Sequence, residues 1–208
     1  MRKIILTLMV LSAGLSAIAQ NTYGSGNGNS RADRRQKAMS AWHQDMAEFK
    51  AREAKNRELN ALADSLAYIQ AKAALTNRDF VLEATSVTFK NGSTAFVNST
   101  TNFISLKGNK AVVQISPSNY ASGPNGVGGV TVEGSVTDFQ IMTDKKGRTT
   151  LSMNVMGIGI NAQVEVYLYP GSSSATATVY PNFNSNTVWL QGTVVPYENS
   201  NVFEGNAL

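Results

Sequence analysis

Residues 160–169 read INAQVEVYLY. Successive side chains of an extended chain point to opposite faces. Ile160, Ala162, Val164, Val166 and Leu168 therefore share one face, and Asn161, Gln163, Glu165, Tyr167 and Tyr169 share the other. Such alternation marks an antiparallel strand with one face in a core and one in water. The same two-residue period predicts strands over 80–90, 94–98, 102–106, 111–116, 129–142, 149–157, 175–180 and 187–195. Turn chemistry separates them: Asn91-Gly92, Gly108-Asn109, residues 144–147, Pro170-Gly171 and residues 181–186. About nine strands, with no helical pattern between them, predict a mainly β fold. The expectation is an antiparallel sandwich or small barrel, preceded by an N-terminal α-helical segment.

Upstream of Arg78 the period is helical. From Ser30, with Asp33 three residues on as in a capping box, no glycine or proline occurs until after Leu75. Met39, Trp42, Met46 and Phe49 form one apolar stripe, and Leu59, Leu62, Leu66, Ile69 and Ala73 form a second. Between them Glu53, Asn56 and Asn60 fall where the seam should continue. The expectation is two helical segments or one bent helix, stopped by a left-handed Asn77. Residues 20–29 include NTYGSGNGN, which has too little apolar surface to repay ordering and reads as a flexible linker.

The first nineteen residues have the order of a secretory leader: Arg2 and Lys3, an apolar run over 4–15, then Ala17-Ile18-Ala19. Cleavage is expected between Ala19 and Gln20, giving an exported protein of the periplasm or cell envelope with no membrane span after removal of the leader. The 18 basic and 14 acidic residues give +4, and loss of Arg2 and Lys3 leaves about +2. No nucleic-acid partner is expected from such a balance. The chain has no cysteine, which excludes disulfides, thiolate metal sites and a thiol nucleophile.

The glycines of SGPNGVGGVTVEGS, residues 122–135, raise the question of a phosphate loop. Such a loop needs a following helix whose N-terminal amides face the anion. Here Val130, Val132 and Val136 alternate as in a strand, and no lysine occurs between Gly129 and Lys145. The glycines therefore read as turn and close-approach residues, with Gly134 a candidate bulge. His43, the one histidine, stands on the helix away from the β-domain acids and hydroxyls, which argues against serine–histidine hydrolysis and histidine-based zinc. Glu133, Asp138 and Glu165 are the candidate carboxylates for glycoside cleavage, which requires two acids about 5–9.5 Å apart. Their polar neighbours read instead as solvated sheet faces, so no catalytic, cofactor or metal residue is assigned.

The alternation also puts Tyr167 and Tyr169 on a polar face and Trp189 opposite Val188 and Leu190, beside Gln191. These four residues, Tyr167, Tyr169, Trp189 and Gln191, are the candidate ligand surface. Aromatic faces with amides suit a glycan or a peptide. The competing expectation is that the helix covers them with Leu62, Leu66, Ile69 and Ala73. The Met39, Trp42, Met46 and Phe49 stripe, flanked by Arg35, Lys37, Lys50 and Arg52, is the candidate for self-association or an anionic membrane surface. An outer-membrane barrel is disfavoured, because few strands reach the about 9–11 residues that spanning requires.

RDFVLEA (78–84), NFISLKGNKAVVQIS (102–116), GPNGVGGVTVEGSV (123–136), LSMNVMGIG (151–159), PNFNSN (181–186) and VVPYENSNVFEG (194–205) closely resemble the domain of unknown function 4251 family. The resemblance covers about residues 66–205. It implies export in Gram-negative gut bacteria and a β-rich fold after a variable helical leader. It brings no catalytic residue, since the family has none assigned. The expected organisation is a leader over 1–19, a linker over 20–29, a helical segment over 30–76 and a β domain over 77–208. The expected function is a non-catalytic binding or structural module, with a carboxylate-based glycan enzyme or a helix-mediated interaction protein as alternatives.

Overall fold

The computed structural model describes residues 31–116, 126, 128–182 and 186–207. The leader, its cleavage site at Ala19 and Gln20, the linker and the Ser30 cap lie outside the described residues. The chain divides between Lys50 and Ala51 into two units. One helix, α1 (Arg31–Thr76), runs uninterrupted, so the two-segment alternative does not hold. Glu53, Asn56 and Asn60 interrupt the apolar stripe but carry ordinary backbone amides, and with no glycine or proline in the run the i to i−4 ladder continues. Residues 31–50 are exposed except for half-buried Met46. Within them Trp42 and His43 meet edge to face, with ring centroids 5.0 Å apart.

Among its described residues the second unit holds nine strands: β1 (Asp79–Phe89), β2 (Thr94–Phe96), β3 (Phe103–Lys107), β4 (Lys110–Ile115), β5 (Val130–Thr143), β6 (Thr149–Met156), β7 (Asn161–Leu168), β8 (Ser174–Pro181) and β9 (Val188–Pro196). Every pairing is antiparallel. From β3 to β9 each strand pairs with the next in sequence, and β1 pairs with both β3 and β9. Eight strands therefore close into a barrel, with β2 an extra strand on the far half of β1. Of the two expected architectures, the barrel is the one formed.

Closure runs from Phe80↔Pro196 to Phe89↔Val188 with one irregularity between Ala84 and Ser86. Gly192 stands at that irregularity opposite Ala84, and a Cβ there would lie 1.9 Å from the Glu83 carbonyl oxygen. Only a residue without a side chain lets the two backbones approach so closely. The second register shift lies between Thr137 and Gln140, where Asp138 has φ 51. Gly134 is therefore not the bulge. It pairs in register with Ala111, and its missing Cβ leaves room for the Met156 carbonyl oxygen, which a Cβ would approach to 2.7 Å.

Alternate residues fill the interior. Phe80, Leu82, Ile104, Leu106, Leu151, Met153, Val164, Val166, Leu168 and Leu190 are completely buried in one cluster. Eight strands enclose a space just wide enough for such side chains. Helix α1 adds Ala71, Ala74 and Leu75 to this cluster, with Tyr68 packed against it, and the Tyr68 hydroxyl donates to the Gly147 carbonyl. The helix thus docks through a row other than the one expected: Leu62, Leu66 and Ile69 stay 57%, 61% and 61% exposed. The row spaced 68, 71, 75 lies on the opposite side of a 3.6-residue helix, and its alanines admit close approach. Nor is Asn77 the left-handed residue. Its amide still reaches the Ala73 carbonyl at 2.9 Å, and Arg78, φ 55, makes the turn with its guanidinium 4.2 Å from the Phe139 ring centroid.

Strands β3 and β4 are buried on both faces. Their outer side chains Phe103 and Val112, with Val81 of β1, form a second cluster against Val195, Tyr197 and Val202. Gln114 fixes the end of this cover. Its Nε2 donates to the carbonyls of Thr101 at 3.0 Å and Phe203 at 2.9 Å, and its Oε1 accepts from Thr131 Oγ1 at 2.6 Å and the Gly205 amide at 2.8 Å. All four hydrogen-bonding positions of a fully buried amide are thus used.

Two stability outcomes are expected. Leu75→Ala, at the buried end of the helix, should cost about 2–5 kcal/mol in urea unfolding. Gln114→Ala should cost about 1–3 kcal/mol and speed hydrogen exchange at the Phe203 and Gly205 amides. Unchanged exchange there would show that the C-terminal cover is held by its apolar contacts alone.

Candidate functional site

The outer wall differs around the barrel. Over β3 and β4 it is covered, whereas over β6 to β9 the outward residues are mostly polar or aromatic, exposed at Tyr180, Trp189 and Gln191, half-buried at Ser152, Gln163, Glu165 and Tyr167, and buried at Thr178. Register places them in rows across β7, β8 and β9. Tyr167 stands opposite Thr176, which stands opposite Gln191. One row along, Glu165 faces Thr178 and Thr178 faces Trp189, and next Gln163 faces Tyr180. Strand β6 continues the rows with Thr150, Ser152 and Asn154. Trp189, Tyr180 and Tyr169 are 36%, 39% and 43% exposed.

All four predicted surface residues thus lie on one outer face, Tyr167 and Tyr169 toward β7 and Trp189 and Gln191 on β9, with β8 between. The helix row expected to cover them is itself exposed. Tyr180 was missed in the sequence because it follows the small residues ATATV. Its signal was parity: Ala175, Ala177 and Val179 join the core cluster, so Thr176, Thr178 and Tyr180 belong to the outer wall, Thr178 being buried there.

The polar groups of the face orient one another. Glu165 accepts from the Tyr167 hydroxyl at 2.5 Å and from Gln163 Nε2 at 3.2 Å, and the same Nε2 lies 3.3 Å from Ser152 Oγ. Tyr169 shares a hydrogen bond with Thr176 at 3.1 Å. The bond to Glu165, aided by burial and the carboxylate charge, pushes the Tyr167 hydroxyl up to about 12, so the phenol is a donor throughout the neutral range. Rings held in place by such bonds lose little further freedom when they meet a ligand.

The three candidate acids have separate partners. Glu133 on β5 pairs with Lys110 Nζ at 2.6 Å beside an open hollow of about 500 Å³ that Met156 and Ile158 also line. That bond raises the Lys110 ammonium above its ordinary value. Asp138 accepts from Asn154 Nδ2 at 2.8 Å, while Glu165 is engaged two strands away on β7. The glycine stretch enters β5 directly at Val130, so no helix N-terminus follows it. Among the described residues no group of three or more His, Cys, Asp or Glu side chains is placed to hold a metal, and no helix is long and apolar enough to cross a membrane. Residues 122–125 and 127 of the glycine stretch lie outside the described residues.

The Tyr167–Glu165 bond sets a pH dependence. A phenol whose folded pKa is raised stabilises the fold fully below pH 10, its ordinary value, and that contribution is lost as pH rises through about 12. Absorbance at 295 nm, wild type minus Tyr167→Phe, should show this ionisation near pH 12. The same difference measured in a Glu165→Gln background should move back toward 10, and an unmoved transition would show that burial alone raises it.

The family described as Domain of unknown function (DUF4251) matches residues 63–194. A crystal structure of a DUF4251 family protein from Bacteroides eggerthii DSM 20697 is similar at 47% identity and a TM-score of 0.60, covering 69% of this chain and 96% of that one. No curated protein matches.

Proposed function

The chain belongs to the domain of unknown function 4251 family, and on that premise we propose that it is an exported, non-catalytic module that binds carbohydrate on the outer face of β7, β8 and β9. The single observation that carries this reading is the register that sets Tyr167, Tyr180, Trp189 and Gln191 on one outer face, with Glu165 and Gln163 on the same rows. Flat rings offer the apolar faces of a sugar a surface that is inexpensive to desolvate, and amides and a carboxylate suit its hydroxyls. A peptide added as an extra strand would need a free sheet edge. Closure pairs each of β7, β8 and β9, the strands beneath this face, on both sides, which favours the glycan. Separation of the three acids favours binding over glycoside cleavage. Export rests on the composition of the leader, and N-terminal sequencing of the secreted protein should read from Gln20.

Trp42→Phe leaves Trp189 as the sole tryptophan. Its emission should shift on titration with soluble oligosaccharides. Tyr180→Ala should weaken that binding by about 0.5–1.5 kcal/mol, roughly three- to tenfold. No shift with any of a broad glycan set would remove this reading.

A second reading is favoured by exposure of Leu59, Leu62, Leu66 and Ile69, which repeat at three and four residues along α1. Such a row suits a matching helix of a second copy. Light scattering should give a dimer for the wild type and a monomer for Leu62→Glu/Leu66→Glu. A wild-type monomer would discard it.

A further inference from the structure

The two ends of the barrel are closed differently. Tyr68, Ala71, Ala74 and Leu75 fill the end where β1 begins and β9 finishes. At the other end, where β4 finishes and β5 and β9 begin, there is a hollow of about 320 Å³. Its walls are nearly all apolar: Val113, Ile115, Val132, Ile160, Ala162 and Val188 carry the contact surface. That volume is at the small end of ligand sites, which run roughly 300–1000 Å³. A site with apolar walls holds water poorly, since water needs two to four polar partners. The polar group at its edge is already satisfied, because Asn161 receives both the Asn182 amide at 2.9 Å and Asn182 Nδ2 at 2.5 Å.

Val188 also lines a second, larger hollow of about 800 Å³ with Phe89, Lys90, Asn91, Ser93 and Thr187. The apolar chamber therefore shares a wall with a vestibule in which Lys90, Asn91, Ser93 and Thr187 supply polar groups beside Phe89. Asn91 Oδ1 is occupied by the Ser93 amide and hydroxyl. Lys90 is exposed and makes no ion pair among the described residues, and no carboxylate is among the described residues lining either hollow. An apolar chamber beside a vestibule with one uncompensated cation among the described residues matches an apolar tail joined to an anionic head.

We propose that this open end of the barrel binds a single-chain anionic amphiphile, a medium-chain fatty carboxylate, with its tail against Val113, Ile115, Val132 and Ile160 and its carboxylate at Lys90. The site is distinct from the aromatic outer wall, so either can exist without the other. The tail supplies affinity by leaving water, about fourfold per buried methylene. Lys90 selects the charged head, because an exposed cation discriminates by charge more than it adds affinity.

The experiment titrates decanoate, octanoate and decanol, below their micellar concentrations, into purified protein with labelled isoleucine and valine methyl groups. Saturable shifts are expected at Ile115, Ile160, Val132 and Val188, with decanoate binding roughly sixteenfold tighter than octanoate. Lys90→Gln, an exposed change that leaves the fold intact, should weaken decanoate several-fold and leave decanol unchanged. Absence of shifts at these methyl groups overturns the proposal. So does their confinement to Ile69 of the helix, equal affinity for the two chain lengths, or indifference of decanoate to Lys90→Gln.

Discussion

Pairing of β1 with β9 is the constraint from which the rest follows. A sheet of strands joined in sequence has two free edges, and edge amides and carbonyls either find partners or invite other chains. Here β1 runs far enough to meet β9 along its whole length while its two halves take β3 and β2 on the other side. Gly192 makes the joint feasible at its irregular point, where any side chain would collide with the Glu83 carbonyl. Closure converts one buried face into an interior, and the alternating residues of every strand become a single core.

Once closed, a barrel has two ends and one outside, and this chain treats each differently. The last turn of α1 enters one end with two alanines and a leucine. The other end keeps an apolar chamber. On the outside, residues after β9 cover β3 and β4, and Gln114 fastens them from beneath. The remaining wall is left to tyrosines, a tryptophan and amides. Its polarity is the reverse of a membrane barrel, whose apolar band faces outward: the inner residues here are nearly all apolar, and the outer residues of β6 and β7, Met156 apart, are Thr, Ser, Asn, Gln, Glu and Tyr.

Much of this was legible beforehand, and the particular elements show why. The nine strands and their turns follow from a period of two with Asn-Gly and Pro-Gly punctuation, which depends only on neighbouring residues. The outward placement of Tyr167, Tyr169, Trp189 and Gln191 follows from the same parity. Tyr180 obeyed the rule too, but five small residues before it made the alternation faint. What could not be read was anything that depends on which row meets which. Leu62, Leu66 and Ile69 look like the docking face of the helix because they are large, whereas the docked face is lined by Ala71 and Ala74, chosen by how closely a helix can approach the barrel end. Gly134 and Asp138 divided similarly: the bulge formed at the acid, and the glycine served a neighbouring carbonyl.

By itself, then, the order of residues determined the elements, the faces of each strand and the polarity of the outer wall, since these arise from local alternation and turn geometry. The tertiary structure alone decided that the sheet closes, which end the helix fills, and that Gln114 becomes a buried clasp for the C-terminal residues. Those depend on contacts between positions far apart in the chain, such as Phe80 with Pro196 and Gln114 with Gly205, whose pairing no local pattern encodes.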